Sequence, residues 1–329
     1  MNPARSGSVV SPDKHGNIWL FGGLLDGKPG KVTNDLWVNG KETGEWERVN
    51  GPDADNSPRP RMYSTGNVVT GPQGRQELVI FGGWDTGEAG SGGTFLDDVW
   101  SYDIEEKRWS MLDVKLPYPV SRHTSNVVPV SGKEAVVLHT FKCNDEVILY
   151  DAPSRTFKTQ KTTGPSPQSL SMISSSTSSV SPVVLYFGGS SKTGEMSGDV
   201  HVLDCESWSW TNHQTAALPR SSACSCNIPG TDNFIIGLGA GFKSQGEGYQ
   251  GGLSTCGDLH LTCLTKGEKG DISASITEIE VGGVKPTGRV AANIVPFKSS
   301  GDKCRLLLQG GWNPKLGVVN GEEVLDLDI

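Results

Sequence analysis

The chain has 329 residues, a formal net charge of −8 and 43 glycines, so glycine is well above its usual share of about 7%. The acidic balance argues against a broad nucleic-acid surface, which needs a basic face. No apolar run reaches the length of about 18 residues that a membrane-spanning helix needs, and the opening residues, MNPARSGSVVSPD, lack the apolar core of a signal peptide. Because glycine accepts positive φ at turns, the composition predicts many short strands joined by turns.

The cysteines indicate a reducing compartment. Their number is odd and no CxxC pair occurs. Cys224 and Cys226 would point the same way on a strand, about 6.6 Å apart, which is poor disulfide geometry. We therefore predict reduced thiols, mostly packed as small apolar groups, and a cytoplasmic or nuclear location. The seven residues are Cys143, Cys205, Cys224, Cys226, Cys256, Cys263 and Cys304.

Four apolar runs end in a pair of glycines: IWLFGG (18–23), LVIFGG (78–83), VLYFGG (184–189) and LLLQGG (306–311). The first three are followed by a strand candidate that opens with an acidic residue and then by a segment with tryptophan. These segments are NDLWVNG (34–40) with GEWERV (44–49), DDVWSYD (97–103) with KRWSML (107–112), and GDVHVLD (198–204) with WSWTNH (208–213). The fourth run leads to EEVLDLDI (322–329).

Two weaker copies fill the gaps between these runs. EAVVLHTF (134–141) has His139-Thr140 where the glycines would stand, and Phe157 replaces the tryptophan further on. NFIIGLGA (233–240) offers Gly239-Ala240. The whole chain is thus predicted to repeat one unit six times.

One more strand candidate precedes each unit: RSGSVV (5–10), RMYSTGNVV (61–69), RHTSNVVPV (122–130), SLSMISSST (169–177), RSSACSCNI (220–228) and RVAANIVPF (289–297). Units of about four strands that start 47 to 69 residues apart predict an all-β, six-bladed β-propeller. We expect a single domain over 1–329, with blades at about 3–50, 58–113, 119–161, 164–214, 218–280 and 285–329. The last blade shows three strands, which indicates either a three-stranded blade or a truncated chain.

The glycine pair, the acidic start of the third strand and the tryptophan of the fourth together resemble the kelch motif, in six copies over essentially the whole chain. The resemblance implies a scaffold role for these residues. The glycines permit a tight exit from the second strand, and the aromatic side chains fill the wedge between blades.

An arginine recurs at the start of the inner strand. The aligned residues are Arg5, Arg61, Arg122, Ser169, Arg220 and Arg289. In a propeller this position lies at one mouth of the central channel, so the sequence predicts a positive collar. Two interpretations stay open: the arginines bond to loop carbonyls and neighbouring carboxylates, or they receive an acidic group from a partner.

Trp84 and Trp312 directly follow glycine pairs and are predicted to lie at the same mouth, where tryptophan beside arginine is typical of an interface. His123 lies beside Arg122. RSGSVV at Arg5 resembles the arginine-bearing strand with which kelch substrate adaptors of cullin ligases bind acidic peptides, and Trp84 and Trp312 occupy the place of their peptide-contacting aromatic residue. No BTB or BACK segment is found, so only the binding surface is carried over.

An enzyme is the alternative. Plant specifier proteins resemble this chain in length and in their mouth residues, which would imply a small-molecule lyase or isomerase, but their iron-binding E-xxx-D-xxx-H spacing does not occur here. His201 and His260 align with Trp37 and Trp100 as repeat positions, and no hydrolase, zincin or P-loop motif is found.

We therefore predict a protein-interaction module, such as an adaptor, that binds an acidic partner segment and uses no metal or cofactor. We expect no nucleic-acid or membrane partner, and either a monomer or part of a larger chain. The predicted contact residues are Arg5, Arg61, Arg122, Arg220, Arg289, Trp84, Trp312 and His123.

Overall fold

The computed structural model describes residues 4–26, 30–50, 56–87, 92–215, 219–242, 253–267, 271–279, 285–297, 303–319 and 322–328. These residues form antiparallel sheets, with one 3-10 turn at Pro72–Gly74. The first three blades each have four strands. Blade 1 contains β1 (Val9–Pro12), β2 (Ile18–Leu25), β3 (Lys31–Asn39) and β4 (Trp46–Asn50); blade 2 contains β5 (Thr65–Thr70), β6 (Gln76–Asp85), β7 (Thr94–Asp103) and β8 (Arg108–Lys115); blade 3 contains β9 (Thr124–Val130), β10 (Lys133–His139), β11 (Glu146–Asp151) and β12 (Thr156–Lys161).

Blades 4 and 5 also have four strands. A short three-stranded sheet extends blade 5, and a short hairpin extends blade 6. Blade 4 contains β13 (Ser174–Thr177), β14 (Val183–Phe187), β15 (Val200–Asp204) and β16 (Ser209–His213). The region of blade 5 contains β17 (Arg220–Ser221), β18 (Cys224–Asn227), β19 (Asn233–Gly237), β20 (Ala240–Phe242), β21 (Leu253–Thr255), β22 (Leu259–Lys266) and β23 (Ile272–Ile279), of which β18, β19, β22 and β23 form the blade. Blade 6 contains β24 (Asn293–Pro296), β25 (Lys303–Gln309) and β28 (Glu322–Asp328), with the hairpin β26 (Trp312–Asn313) and β27 (Gly317–Val318).

The inner strands of the six blades surround one channel, and each contacts the inner strand of the next blade, including β24 with β1. The all-β, six-bladed propeller predicted from the repeats is confirmed. The sixth blade has three strands in the described part of the chain.

Six backbone hydrogen bonds join the blades in a closed ring at the start of the inner strands. Each N–H donates to the carbonyl of the equivalent residue in the preceding blade, over 2.8 to 3.1 Å. All six residues have φ between 50° and 65°, a left-handed conformation that non-glycine residues adopt only at a cost of about 1–2 kcal/mol. The ring residues are Gly7, Tyr63, Arg122, Met172, Ser222 and Ala291.

Aromatic side chains of the fourth strands fill the wedges between blades. The Trp109 ring lies 5.2 Å from that of Phe21 in blade 1, and the Trp210 ring lies 5.7 Å from that of His139 in blade 3. Phe157 is partly buried and lies 6.3 Å from Phe81. Such offset and edge contacts add to the burial of apolar area.

The glycine pairs form the joint between neighbouring blades. Gly82 has φ of 50°, and a Cβ placed there would lie 2.8 Å from the carbonyl oxygen of Val120 in blade 3. The N–H of Gly83 donates to that oxygen over 2.9 Å. Glycine is therefore required by close backbone approach as well as by its φ.

The strand register corrects two of the predicted glycine positions by one residue. His139 pairs with Thr124 as Phe81 pairs with Thr65, so Thr140-Phe141 take the place of the glycines in blade 3. In blade 5, Gly237 pairs with Cys224, so Leu238-Gly239 take that place. Leu238 adopts φ of 56° there, without the help of glycine. The error arose because apolar runs alone do not mark where the bend falls.

Replacing His139 by phenylalanine should make folding stability less dependent on pH. Burial, and to a lesser degree the charge of His201, lowers the pKa of His139 to about 3, against an ordinary value near 6.5. In the unfolded chain the His139 imidazole therefore becomes protonated below about pH 6.5, whereas in the folded chain it stays neutral until about pH 3. The free energy of unfolding thus falls as the pH falls. Its Nε2 also has no hydrogen-bond partner among the described residues.

Phenylalanine stands at the equivalent position in blades 1, 2 and 4, as Phe21, Phe81 and Phe187. Between pH 7 and pH 5, H139F should lose about 2 kcal/mol less unfolding free energy than the original chain, as measured by urea denaturation at both values. An equal loss in the two proteins would contradict a buried, neutral His139.

Candidate functional site at the propeller mouth

Four of the predicted arginines are buried within their own blades. The side chains of Arg5, Arg61, Arg220 and Arg289 are 2%, 0%, 0% and 0% exposed. Each guanidinium pairs with a carboxylate that lies on the third strand of the same blade or directly before it, and also donates to a carbonyl at the glycine pair or its equivalent. The carboxylates are Asp35, Asp98, Asp258 and Glu323, and the carbonyls belong to Gly22, Gly82, Leu238 and Gly310.

Blade 2 shows the arrangement in full. Arg61 donates to both carboxylate oxygens of Asp98, over 2.6 and 2.8 Å, and its Nε donates to the carbonyl of Arg59. The Trp100 indole donates to the same carboxylate over 2.8 Å. Burial alone would raise the pKa of Asp98, but the hydrogen bonds and charge of Arg61 outweigh burial and lower it. This pair is a structural clamp between the first and third strands.

The same third-strand position is occupied by Trp37 in blade 1 and His260 in blade 5, and the ring N–H of each donates to its blade's carboxylate over 2.8 Å. His260 therefore lies at a repeat position, beside Asp258. His201, at the same position in blade 4, contacts the carbonyl of Pro165 instead. The sequence left two interpretations open. The first, in which the arginines bond to loop carbonyls and neighbouring carboxylates, describes four residues: Arg5, Arg61, Arg220 and Arg289.

Arg122 does not stand at the position of the other four. The carbonyl of Val120 accepts from Gly83 as the carbonyl of Arg61 accepts from Gly23, so Val120 is the counterpart of the buried arginines. Arg122 lies two residues later, on the ring. The alignment went wrong because the arginine was matched by residue type, whereas the following Asn-Val-Val of blades 2 and 3 gives the true offset.

Blades 3 and 4 lack this arginine, and their third-strand acids have other partners. The counterpart of Val120 in blade 4 is Leu170, two residues before the ring residue Met172. The third-strand acid of blade 3, Glu146, pairs with exposed Lys161 over 3.0 Å. Its counterpart in blade 4, Asp199, accepts from Asn212 over 3.3 Å. In both blades an apolar residue thus replaces the arginine, and the third-strand carboxylate contacts an exposed side chain instead.

The half-buried side chain of Arg122 lies over aromatic rings at the mouth. Its guanidinium carbon is 4.0 Å from the ring centre of Tyr63 and 5.6 Å from that of Trp84, within the range of cation–π attraction. No carboxylate of the described residues pairs with it. Arg122 is therefore a positive group that faces the mouth without a counter-charge in that part of the chain.

Two exposed lysines extend this surface over blades 3 and 4. Lys142 follows Thr140-Phe141, at the position that Trp84 holds in blade 2, and its Nζ lies 4.0 Å from the Tyr118 ring centre. The Nζ of Lys192 lies 5.1 Å from the ring centre of Phe141. We call these cations and rings the cationic crescent: Arg122, Lys142, Lys192, Tyr63, Trp84, Tyr118 and Phe141.

Trp312 and His123 occupy different settings. Trp312 is half-buried on blade 6, across the ring from blade 3. His123 is 6% exposed, and its Nε2 lies 2.9 Å from Thr65 Oγ1 of blade 2. Burial lowers the pKa of His123 to about 3, so the ring is neutral at pH 7. His123 therefore links two blades and adds no charge to the mouth.

The channel behind the mouth is uncharged, and both apolar and polar side chains line it. Its volume is about 550 Å³, and among the described residues that line it none is Asp, Glu, Lys or Arg. Hydroxyl and amide groups of the inner strands bond across blade boundaries, as in Asn126–Ser175 at 2.8 Å and Ser174–Ser225 at 2.7 Å. The described residues contain no group of three or more His, Cys, Asp or Glu side chains able to hold a metal ion.

Sequence reasoning predicted Arg122 and Trp84 of the crescent as contact residues. It placed Lys142 and Lys192 in loops at the same mouth without predicting a contact for them, and it missed Tyr63, Tyr118 and Phe141. Phe141 belongs to the blade whose glycine pair is lost, so the one-residue error hid its position at the bend. Tyr63 could have been found from RMYSTG, since it occupies the place of Gly7 in RSGSVV. Tyr118 precedes the inner strand, and no repeat pattern marks it.

Two comparisons bear on this arrangement. Residues 1–140 match a family model described as the KLHDC2/KLHL20/DRC7 Kelch-repeats domain. The fold is similar to a solved structure entitled "Structure of YjhT", with 17% sequence identity and a TM-score of 0.65, over 98% of this chain and 95% of that chain. The kelch resemblance of the repeats is thus confirmed. In the part of the chain that the structure describes, no helix is both long and apolar enough to cross a bilayer.

Replacing Arg61 by alanine should destabilise the fold strongly, because the Asp98 carboxylate and two carbonyls would lose a buried donor. Removing one partner of a buried pair costs about 3–5 kcal/mol. Arg59 is the matched control: its side chain is 60% exposed, and it contacts Asp85 at 3.5 Å, so Arg59→Ala should cost less than about 1 kcal/mol. Urea denaturation at pH 7 measures both. Equal losses would contradict the clamp.

Proposed function

We propose that this β-propeller, whose residues 1–140 match a kelch-repeat family model, is a protein-interaction module whose cationic crescent binds an acidic segment of a partner. A propeller of this family supports a protein-interaction role, and its mouth presents a concave rim of loops on a rigid scaffold. The acidic partner and the exact surface are our inference from charge and geometry.

The observation that carries the proposal is the absence of counter-charges at the crescent. Arg122, Lys142 and Lys192 pair with no carboxylate among the described residues, although the molecule has a net charge of −8. Four other arginines of the same repeats are each held by a carboxylate. Three cations gathered on one side of the mouth therefore favour an anionic ligand from outside.

The aromatic rings make these cations suited to recognition. Tyr63 and Trp84 hold the Arg122 guanidinium, and Phe141 lies between the ammonium groups of Lys142 and Lys192. A cation placed on a ring loses less freedom when it binds a carboxylate, and its planar platform offers apolar contact beside the charge. Arginine and tryptophan are also the residue types that dominate interface energetics.

The opposite side of the mouth presents apolar side chains next to one exposed cation, Lys315. Phe242 on blade 5 and Leu316 on blade 6 are 48% and 60% exposed. Trp312, which precedes Leu316 on blade 6, is half-buried. We propose that the bound segment places its acidic residues over blades 2 to 4 and an apolar flank toward Trp312. The collar expected from the sequence is thereby reduced to one side of the ring.

We also propose a cytoplasmic or nuclear location. All seven cysteines are free thiols, and six of them are buried. Unpaired cysteines persist in reducing compartments.

Charge reversal at the crescent should weaken partner binding about tenfold or more, which corresponds to about 1.4 kcal/mol, and the original chain should bind less tightly as salt rises. Peptides would first be selected from a random display library on the original chain, and their affinities measured by fluorescence anisotropy at low and high salt. We expect the selected peptides to be rich in Asp and Glu. The test variants are Arg122→Glu and the pair Lys142→Glu with Lys192→Glu.

The matched control is the pair Lys133→Glu with Lys158→Glu. Both residues are exposed. Lys133 lies at the far end of blade 3 and Lys158 on its outer strand, and the change in net charge is the same as for the lysine test pair. Equal weakening in the two pairs would show a general charge effect and contradict the crescent, as would selected peptides without acidic residues.

A further inference from the structure

Phe95 presents an exposed aromatic side chain at the rim of the mouth. It is 50% exposed and lies on β7 directly opposite Trp84 of β6. Residues paired in this way lie on the same face of a sheet, with Cβ atoms about 4.5–5.5 Å apart. Because the Trp84 ring lies 5.6 Å from the Arg122 guanidinium of blade 3, Phe95 belongs to the face of this hairpin that is turned toward blade 3.

The same hairpin position is buried in two other blades. Val32 in blade 1 and Val318 in blade 6 lie opposite Leu24 and Trp312, as Phe95 lies opposite its partner. The two valines are only 8% and 2% exposed. Blade 2 therefore carries a larger apolar side chain at this position and leaves it open to solvent.

A short connection in blade 3 accounts for the opening. In blades 1 and 2 the second and third strands extend past the bend, as β2–β3 and β6–β7 do, so the hairpins of blades 6 and 1 are each followed by a long hairpin. Blade 3, which follows blade 2, ends its second strand at His139 and begins its third at Glu146 without such an extension. We call the resulting gap in the rim the blade 3 notch, with a wall and a floor formed by Trp84, Phe95, Arg122, Phe141 and Lys142.

The charges beside the notch favour an anion on its floor. The hairpin of blade 2 carries two carboxylates, and both are engaged: Asp85 lies 3.5 Å from Arg59, and Asp97 lies 3.3 Å from Lys115. Arg122 on the floor pairs with no carboxylate of the described residues. An acidic group in the notch would therefore meet an unpaired cation directly beside an exposed aromatic surface.

We propose that the blade 3 notch selects acidic segments that also carry a large apolar side chain, which packs on Phe95 and Trp84 while a neighbouring carboxylate pairs with Arg122. This inference rests on the crescent as the binding site and makes Phe95 a specificity-determining residue of it. The anchor lies on the blade 2 side of the acidic residue, opposite to the flank that we place toward Trp312.

The geometry also sets the spacing of the two side chains in the ligand. Phe95 lies one strand beyond Trp84, which places it roughly 10 Å from the Arg122 guanidinium. An extended segment advances about 6.7 Å over two residues, and residues two apart project to the same side. Side-chain length covers the remaining distance, so the preferred pattern is Asp or Glu, any residue, then a large apolar residue, in either chain direction.

Two peptide display libraries test the pattern. Both consist of short random peptides without Asp and Glu, except that the central residue is fixed as Asp in one library and as Ser in the other. Selection of the Asp library on the original chain should enrich Phe, Leu, Ile, Met, Trp or Tyr two positions from the Asp. The Ser library should yield no binder of comparable affinity in fluorescence anisotropy.

Variants of the wall then test Phe95 itself. Phe95→Ser should weaken the best Asp peptide about tenfold, whereas Phe95→Leu should keep most of the affinity. The matched control is Met111→Ser, because Met111 is 63% exposed on the outer strand of the same blade; it should leave binding unchanged. Serine in place of the peptide's apolar residue should cost about tenfold with the original chain and little with Phe95→Ser, as expected for two groups in contact.

The outcomes separate this inference from the proposed function. An affinity unchanged in Phe95→Ser, or Asp peptides without apolar enrichment, would overturn the anchor and leave the charge role of the crescent intact. Enrichment at another distance from the Asp would overturn the two-residue spacing. Ser-library peptides that bind as tightly as the Asp peptides would contradict the crescent as an acidic-segment site. Urea denaturation of each variant shows that the compared chains are equally folded.

Discussion

The ring of six backbone hydrogen bonds is the constraint on which the rest of the structure depends. It fixes the spacing of the inner strands, and its last bond, from Gly7 to the carbonyl of Ala291 at 3.0 Å, joins blade 1 to blade 6. Donors and acceptors are all main-chain groups, so the closure does not specify side chains. Inner contacts such as Asn293–Ser8 and Gly311–Arg5 add to this joint, so the two blades are joined at their inner strands.

Two sets of cations with different roles result from this geometry. Residues two positions before the ring point into the blade, where a guanidinium can tie the first strand to the third through a carboxylate. Residues on the ring, and those directly after the bend, face the mouth. Arg61 and Arg122 precede similar inner strands, yet they belong to different sets. Arg61 is fully buried in its blade, whereas Arg122 is only half-buried and lies at the mouth. Charge at the mouth is thus set independently of the charges that stabilise the blades.

The repeat could be predicted from the sequence because each blade needs particular residue types at fixed places. Glycine pairs allow the close backbone approach between blades, acidic residues of the third strand pair with arginine, and aromatic residues fill the wedges. Blade number and strand order were predictable from that signal, including the three strands of the sixth blade that the described residues contain. In blades 3 and 5 the sequence could not place the glycine positions, or the residue that starts the inner strand of blade 3, to better than one or two residues. In these blades Thr140-Phe141 and Leu238 replace glycine. The crescent depends on the offset in blade 3, and also on Tyr118, which precedes the inner strand at a position that no repeat pattern marks.

The left-handed backbone of the ring has a consequence for how such a protein can diversify. Glycine, tyrosine, arginine, methionine, serine and alanine all occupy the same conformation there, and all six line one cavity of about 160 Å³ at the mouth. The conformation therefore tolerates side chains of very different size and charge. A library randomised at these six codons would vary the shape and polarity of the rim while the scaffold beneath it keeps its main-chain closure, so new ligand preferences could arise without a new fold.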